Sequence, residues 1–209
     1  MKAQTKEMQA QMTPASSLQE LKNGNLRFTG KNGLNRDLLQ QVEETSTGQF
    51  PYATVLSCID SRVSSELIFD QGIGDIFSVR IAGNFVNEDI LGSMEFACKL
   101  AGTKLVVVLG HTACGAVKGA CDHARLGNLT TLINKIEPAV GAVKEPQDES
   151  LRNSGNIDFV NEVAAKNVEM TIDNIRANSQ VLAELEQQGE IKIIGGMYDI
   201  KTGEVTFYE

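Results

Sequence analysis

The stretch Lys104-Leu-Val-Val-Val-Leu-Gly110, followed at once by His111-Thr-Ala-Cys114-Gly115, decides how this chain is built. Its aliphatic run shows no alternation of apolar and polar residues, so neither face of the segment meets water. Bounded by Lys104 and Gly110, it predicts a central parallel strand covered on both sides. Working outward, Ala53–Cys58, Ile76–Ile81 and Ile191–Gly195 are further short β-type runs. Helical patterns lie between them, over Ser64–Phe69, Ile90–Leu100, Cys114–Arg125 and, at greater length, Asn161–Gln188. In the last, Val163, Val168, Ile172, Ile175, Val181, Leu182 and Leu185 recur near helical spacing, with Gly189 placed to cap the end. Strands alternating with helices predict an α/β fold: a mostly parallel central β-sheet with flanking helices. Tyr198–Phe207 predicts a hairpin turning at Lys201–Gly203, which adds an antiparallel edge strand.

At the other end, Ser16 and Ser17 are candidate N-caps, with Glu20 at capping-box distance from Ser17. Leu18, Leu21, Leu38 and Leu39 supply apolar contacts, and Gly24 and Gly30 interrupt the pattern. Residues 16–43 are therefore expected to form a helical arm of two helices with a bend, preceded by a flexible tail over 1–15. Residues 44–50 form a polar loop that Pro51 ends. Residues 144–157 are the one linker-like segment, too short to separate domains, so the 209 residues are expected to form a single domain. A net charge of −8 without any Lys/Arg run argues against a partner tracked by its phosphates, so no nucleic acid is expected. No apolar run approaches bilayer-spanning length and the first fifteen residues hold no signal-peptide core, so no membrane partner and a cytoplasmic location are expected. Four cysteines among 209 residues are too few for a disulfide scaffold, and their spacing must say what they are for.

Two segments sit where chemistry is expected. Cys58-Ile-Asp60-Ser-Arg62 begins at the carboxyl end of the first strand, and His111-Thr-Ala-Cys114 just past the third. Open α/β sheets bind ligands outside the carboxyl ends of their strands. Two thiols and an imidazole delivered there suit zinc; three protein ligands leave a fourth position open, which reads as catalytic because structural zinc sites are closed by four. Taken singly, Cys58 reads as a small buried hydrophobe, His111 as a hydrogen-bonded core residue, and Cys114 as a redox thiol at a helix start. Their combination favours the metal. Cys98 reads as packing, as does Cys121, two helical turns beyond Cys114, and His123 reads as a solvated helix residue. Asp60 and Arg62 invite a charge-assisted pair, leaving Asp60 an oriented acceptor beside a metal-bound water or a carboxylate able to swing in as the fourth ligand.

The pairing of Cys58-Ile-Asp60-Ser-Arg62 with His111-Thr-Ala-Cys114-Gly115 resembles the beta-class carbonic anhydrases. So do Leu18-x-x-Leu21-x-x-Gly24-Asn25-x-x-Phe28, Val79-Arg80-Ile-Ala-Gly83-Asn84, and Gly196-Met-Tyr-Asp199-x-x-Thr-Gly203-x-Val205, so the likeness runs from about residue 16 to the end. The resemblance implies one Zn2+ per chain held by Cys58, His111 and Cys114, with water or hydroxide in the open position and Asp60, held by Arg62, orienting it. It implies reversible hydration of carbon dioxide to bicarbonate and a proton. Gln49 matches the amide that hydrogen-bonds substrate in the plant-type branch, the Gly115 N–H is a further donor, and Phe77 and Phe96 match aromatic walls of the carbon dioxide pocket. The chain has no Trp, the residue that a bacterial branch uses in a non-catalytic bicarbonate site. A homodimer or homotetramer is expected, since helical arms of this kind reach across a dimer. Carbon disulfide or carbonyl sulfide hydrolysis uses the same chemistry, and a zinc-stabilised interaction module would close the shell with Asp60 or Cys121. A Rossmann nucleotide binder needs a glycine-rich turn after the first strand, where this chain has Cys58-Ile-Asp60-Ser-Arg62.

Overall fold

Every residue of the Val-rich strand, β3 (Leu105–His111), is buried. Its side chains divide by parity: Leu105, Val107 and Leu109 pack on one face of the sheet, Val106 and Val108 on the other. That division is why the run shows no alternation: both faces are core. The computed structural model describes residues 2–208. Around β3 lie β1 (Ala53–Ser57), β2 (Ile76–Arg80), β4 (Lys192–Tyr198) and β5 (Val205–Tyr208), in the order β2-β1-β3-β4-β5. The first four are parallel and β5 pairs antiparallel to β4. The α/β fold with a mostly parallel sheet and an antiparallel edge strand is thus present. The chain leaves β1 for β2 on one side, then returns to β3 on the other, so the order reverses between β1 and β3. A crevice opens at such a switch point, outside the carboxyl ends of the two strands.

One face of the sheet is covered by α2 (Pro14–Thr29) and α4 (Ser65–Ile68), through Leu18, Leu21 and Ile68. The other is covered by α5 (Glu88–Glu95), α8 (Ile157–Asn178) and α9 (Gln180–Gln187), through Leu91, Met94, Ile172, Ile175, Leu182 and Leu185. A third apolar cluster joins α6 (Gly115–Cys121), α7 (Gly127–Ala142) and α8 around Cys58 and Cys114, and so walls the crevice.

The structure corrects several expectations. The segment expected as a flexible tail over 1–15 is not one in its described part: α1 (Lys6–Gln11) is capped by Thr5, and Gln9 Nε2 donates to the carbonyls of Pro51 and Ala101, 2.7 and 2.8 Å away. The cap of α2 is Thr13, paired reciprocally with Ser16, rather than Ser16 or Ser17 itself. Gly24 does not bend the arm. A Cβ there would lie 1.8 Å from the Phe69 carbonyl oxygen, so glycine is required for α2 to approach the end of α4. The arm then breaks at Gly30 and resumes as α3 (Leu38–Thr45). The single helix expected over 161–188 is two, parted at Ser179, whose hydroxyl accepts from the Leu182 N–H and donates to Glu95. α7, which carries Pro138 inside it, has no counterpart among the expected helices. Asn25 ties the arm to the hairpin: its amide donates to the Ile68 and Gly203 carbonyls and accepts from the Val205 N–H.

Candidate metal centre

β1 and β3 run side by side with Ser57 opposite Leu109. Cys58 therefore emerges beside His111, the last residue of β3. The turn Thr112–Ala113 then folds back to present Cys114 at the start of α6. The Cys58 and Cys114 sulfurs lie 3.9 Å apart, and all three ligand atoms of Cys58, His111 and Cys114 fall within 4.8 Å of one another. All three residues are buried. A tetrahedral zinc with Zn–S bonds of about 2.3 Å separates two sulfurs by roughly 3.8 Å, so the spacing suits that ion.

The imidazole carries a second sign of a metal. His111 Nδ1 lies 3.0 Å from the Thr112 carbonyl, so its proton sits there and Nε2 is left as a bare lone pair. That Nε2 is buried and has no hydrogen-bond partner among the described residues. A buried polar atom left alone costs free energy, and a cation between the two sulfurs would satisfy it. The thiols point the same way. Hydrogen bonds, first from Cys114 and then from the Gly83 N–H, hold the Cys58 thiol far below its ordinary value against the opposing effect of burial. The neighbouring Cys58 thiolate, together with burial, drives Cys114 up. Two adjacent buried sulfurs thus share one negative charge, and a dication between them would let both ionise.

Asp60 sits at the lip of the cluster, with Oδ2 3.9 Å from His111 Nε2. Arg62 holds it with a fork: Nε donates to Oδ1 at 2.9 Å and Nη2 to Oδ2 at 2.7 Å, while the Arg62 backbone N–H adds a bond of 2.9 Å to Oδ1. These bonds hold the Asp60 carboxyl well below the usual carboxylate range. Gly115 is exposed at the start of α6, and a Cβ there would meet nothing within 4 Å.

The remaining candidate residues lie elsewhere on the chain. Gln49 is exposed in the loop entering β1, at the opposite end of that strand from Cys58. Phe77 pairs in register with Thr54, also toward that far end. Its ring meets Phe96 edge-on with centroids 6.3 Å apart. The two border a surface cavity of about 770 Å³ together with Val79, Arg80 and Asp89, and none of the three ligands lines it. Cys98 and Cys121 are buried outside the ligand cluster, and burial pushes each thiol up to about 11. His123 is exposed, with Nδ1 3.0 Å from Glu137. In the sequence Arg80 is only part of a strand motif, yet its guanidinium donates to the carbonyls of Cys58 (3.0 Å) and Asp60 (2.7 Å) and so fixes the loop carrying both.

Two thiolates and an imidazole gathered at the switch point of a parallel sheet, with an oriented carboxylate beside them, define a zinc enzyme that works on a small molecule. The family model described as carbonic anhydrase matches residues 53–205. Carbonic anhydrase 2 of Mycobacterium tuberculosis is 33% identical over 198 residues, covering 91% of this chain and 90% of that protein. The carbonic anhydrase of Mycolicibacterium smegmatis is 32% identical, covering 92% of each. Among solved structures, the beta-carbonic anhydrase CcaA superposes with a TM-score of 0.70 at 25% identity, over 93% of this chain and 86% of that one. The chain belongs to the carbonic anhydrase family, in its beta class: a zinc-dependent lyase that interconverts carbon dioxide and bicarbonate.

Proposed function

We propose that carbon dioxide is hydrated over Cys58, His111 and Cys114, with Asp60 orienting the attacking water and Arg62 holding Asp60. The observation that carries this assignment is the buried, partnerless His111 Nε2 between two buried sulfurs, with Asp60 Oδ2 only 3.9 Å away. Zinc, when bound, supplies a Lewis acid that makes water nucleophilic near neutral pH. Asp60 is ionised and so can only accept; it takes the hydrogen bond of the attacking water and leaves a lone pair aimed away from itself. Because both its oxygens are engaged by Arg62, Asp60 acts as an acceptor rather than a fourth ligand. Gly115, exposed beside Cys114 in the first turn of α6, supplies a backbone N–H that donates to an oxygen of the substrate. The apolar cluster of α6, α7 and α8 supplies dry walls.

Gln49, Phe77 and Phe96 enter this reading through a second copy of the chain. Gln49 precedes the amino end of β1, and Phe77, in ring contact with Phe96, sits near the amino end of β2, so they meet a zinc site by projecting into that of a neighbour. That placement supports a homodimer, or a homotetramer built from two, as do the exposed apolar residues Leu38, Leu39 and Val42 of the arm, which a partner would cover. A reducing, cytoplasmic setting is supported by four cysteines that are all free, two of them needed as ligands. No helix of the described residues is long and apolar enough to cross a membrane.

The test is stopped-flow carbon dioxide hydration by zinc-loaded protein beside Cys114→Ser. The wild type is expected to be active and the variant inactive, having lost its zinc. Substantial hydration by the variant at matched zinc content would reject the assigned site.

A further inference from the structure

Two asparagines on α8, outside every motif quoted from the sequence, reach both halves of the metal centre. Asn167 is buried, 3% exposed, and its Nδ2 donates to the Gly83 carbonyl at 2.8 Å. The N–H of the same Gly83 donates to the Cys58 sulfur at 3.4 Å. About 9 Å along the helix axis, at 1.5 Å per residue, Asn161 Oδ1 accepts from the Ala113 N–H at 2.8 Å. Ala113 lies in the turn between His111 and Cys114.

Both contacts fall on backbone that needs holding. Gly83 has φ +78°, and a Cβ there would lie 2.3 Å from Ile136 Cδ1, so the residue must be glycine and is intrinsically free to turn. A glycine that must aim its N–H at a sulfur requires its orientation to be fixed from outside, and Asn167 grips its other backbone group. Ala113 has φ +55°, a left-handed conformation that an alanine adopts only when its surroundings impose it. That conformation sets the angle at which Cys114 returns to face His111. α8 itself is a rigid support of 22 residues whose apolar face is locked to the sheet and to α7.

We infer that α8 is the brace of the zinc site: Asn167, through Gly83, sets the N–H···S bond on Cys58, and Asn161 holds the turn that sets Cys114 against His111. Both are positioning residues, since neither touches the ligand atoms. The N–H···S bond draws negative charge from the Cys58 thiolate, so it both orients the sulfur and limits the charge that sulfur gives to the metal. The inference rests on the ligand set assigned above.

The experiment measures zinc affinity by competition with a chromogenic chelator, and the sulfur-to-metal charge-transfer band of the Co2+-substituted protein. It compares wild type with Asn167→Leu, Asn161→Ala and Asn161→Asp. Asn167→Leu and Asn161→Ala are expected to bind zinc about 10- to 100-fold more weakly. Asn167→Leu is also expected to move the cobalt band, because the Cys58 sulfur loses its donor. Asn161→Asp keeps an acceptor for the Ala113 N–H and should return affinity to near wild type. Urea unfolding of each apoprotein supplies the structural control. Variants that are destabilised but bind zinc within about twofold of wild type, with an unmoved cobalt band, overturn the brace. If Asn167→Leu does not fold, Asn161→Ala, altered at a half-buried position, decides by its affinity and by the rescue in Asn161→Asp. Wild-type protein that fails to bind one zinc per chain would instead overturn the ligand assignment, a result distinct from failure of the brace.

Discussion

Arg62 shows how much of this site depends on the shape of a single side chain. Its fork places one nitrogen on each oxygen of Asp60, at 2.9 and 2.7 Å, which a lysine ammonium cannot reproduce. Arg62→Lys is expected to lower kcat by about 10- to 100-fold while leaving zinc content unchanged. Metal analysis beside stopped-flow rates checks both halves, and loss of zinc from the variant would show that Arg62 supports the ligands rather than the acceptor. A second carboxylate, far from the chemistry, anchors the arm. Asp70 accepts from Arg27 (2.5 Å) and Arg36 (2.6 Å). Burial raises its pKa, but the hydrogen bonds from Arg27 and Arg36 outweigh that and hold the carboxyl below its ordinary value. A carboxyl depressed in the folded state contributes stability above its unfolded pKa of about 3.9, and loses it as pH falls through the folded value. Asp70→Asn keeps a residue tolerant of the φ of +46° found there and removes only the charge. It is expected to destabilise the protein by about 2 kcal/mol at pH 7, by an amount that shrinks as pH drops below about 4 and vanishes only once pH passes below the depressed folded value, where wild type and variant both carry a neutral side chain. Urea unfolding at pH 7 and pH 3 checks this; a difference that does not change with pH would mean that the arginines do not stabilise the carboxylate.

Among the elements, α2 is seated by what its sequence omits. The Cβ of Gly24→Ala would lie 1.8 Å from a backbone oxygen, which no rotamer relieves, so α2 must move off α4. A loss of about 1–3 kcal/mol is expected by denaturant unfolding; a neutral Gly24→Ala would mean that the two elements do not pack closely in solution. The same glycine marks where sequence reading stops. Period and composition treat Gly24 as an interruption, and only the neighbouring chain shows it to be a contact. α7 runs through Pro138, a residue that a local rule takes for a breaker, and the packing of Ile133, Ile136 and Ala139 keeps the helix intact. The ligands were legible because each lies in a local motif at a strand end, where chain order and spatial order coincide. Arg80, Asn161 and Asn167 were not. Each reaches the site across the fold, from 22 (Arg80 to Cys58), 48 (Ala113 to Asn161) and 84 (Gly83 to Asn167) residues away, and nothing in their own surroundings announces the contact.

For the whole molecule, the layout leaves one site short of the residues expected to line it. Cys58 leaves the carboxyl end of β1 while Gln49 enters its amino end, so no side-chain rotation within one chain brings them together. If Gln49 serves the zinc of a neighbour, two crippled chains can repair each other. In a hybrid dimer of Gln49→Ala and Cys114→Ser, the first chain keeps its zinc ligands and receives Gln49 from the second. One of its two sites is then intact. Random reassortment makes half of the dimers hybrids, so the mixture should recover about a quarter of wild-type activity, well above the mean of the two variants measured apart. Light scattering on the same samples should give at least a dimeric mass at micromolar concentration. A mixture no more active than that mean, in samples shown to have exchanged subunits, would place Gln49 outside the active site of either chain, and a monomer of full activity would remove the need for a neighbour altogether.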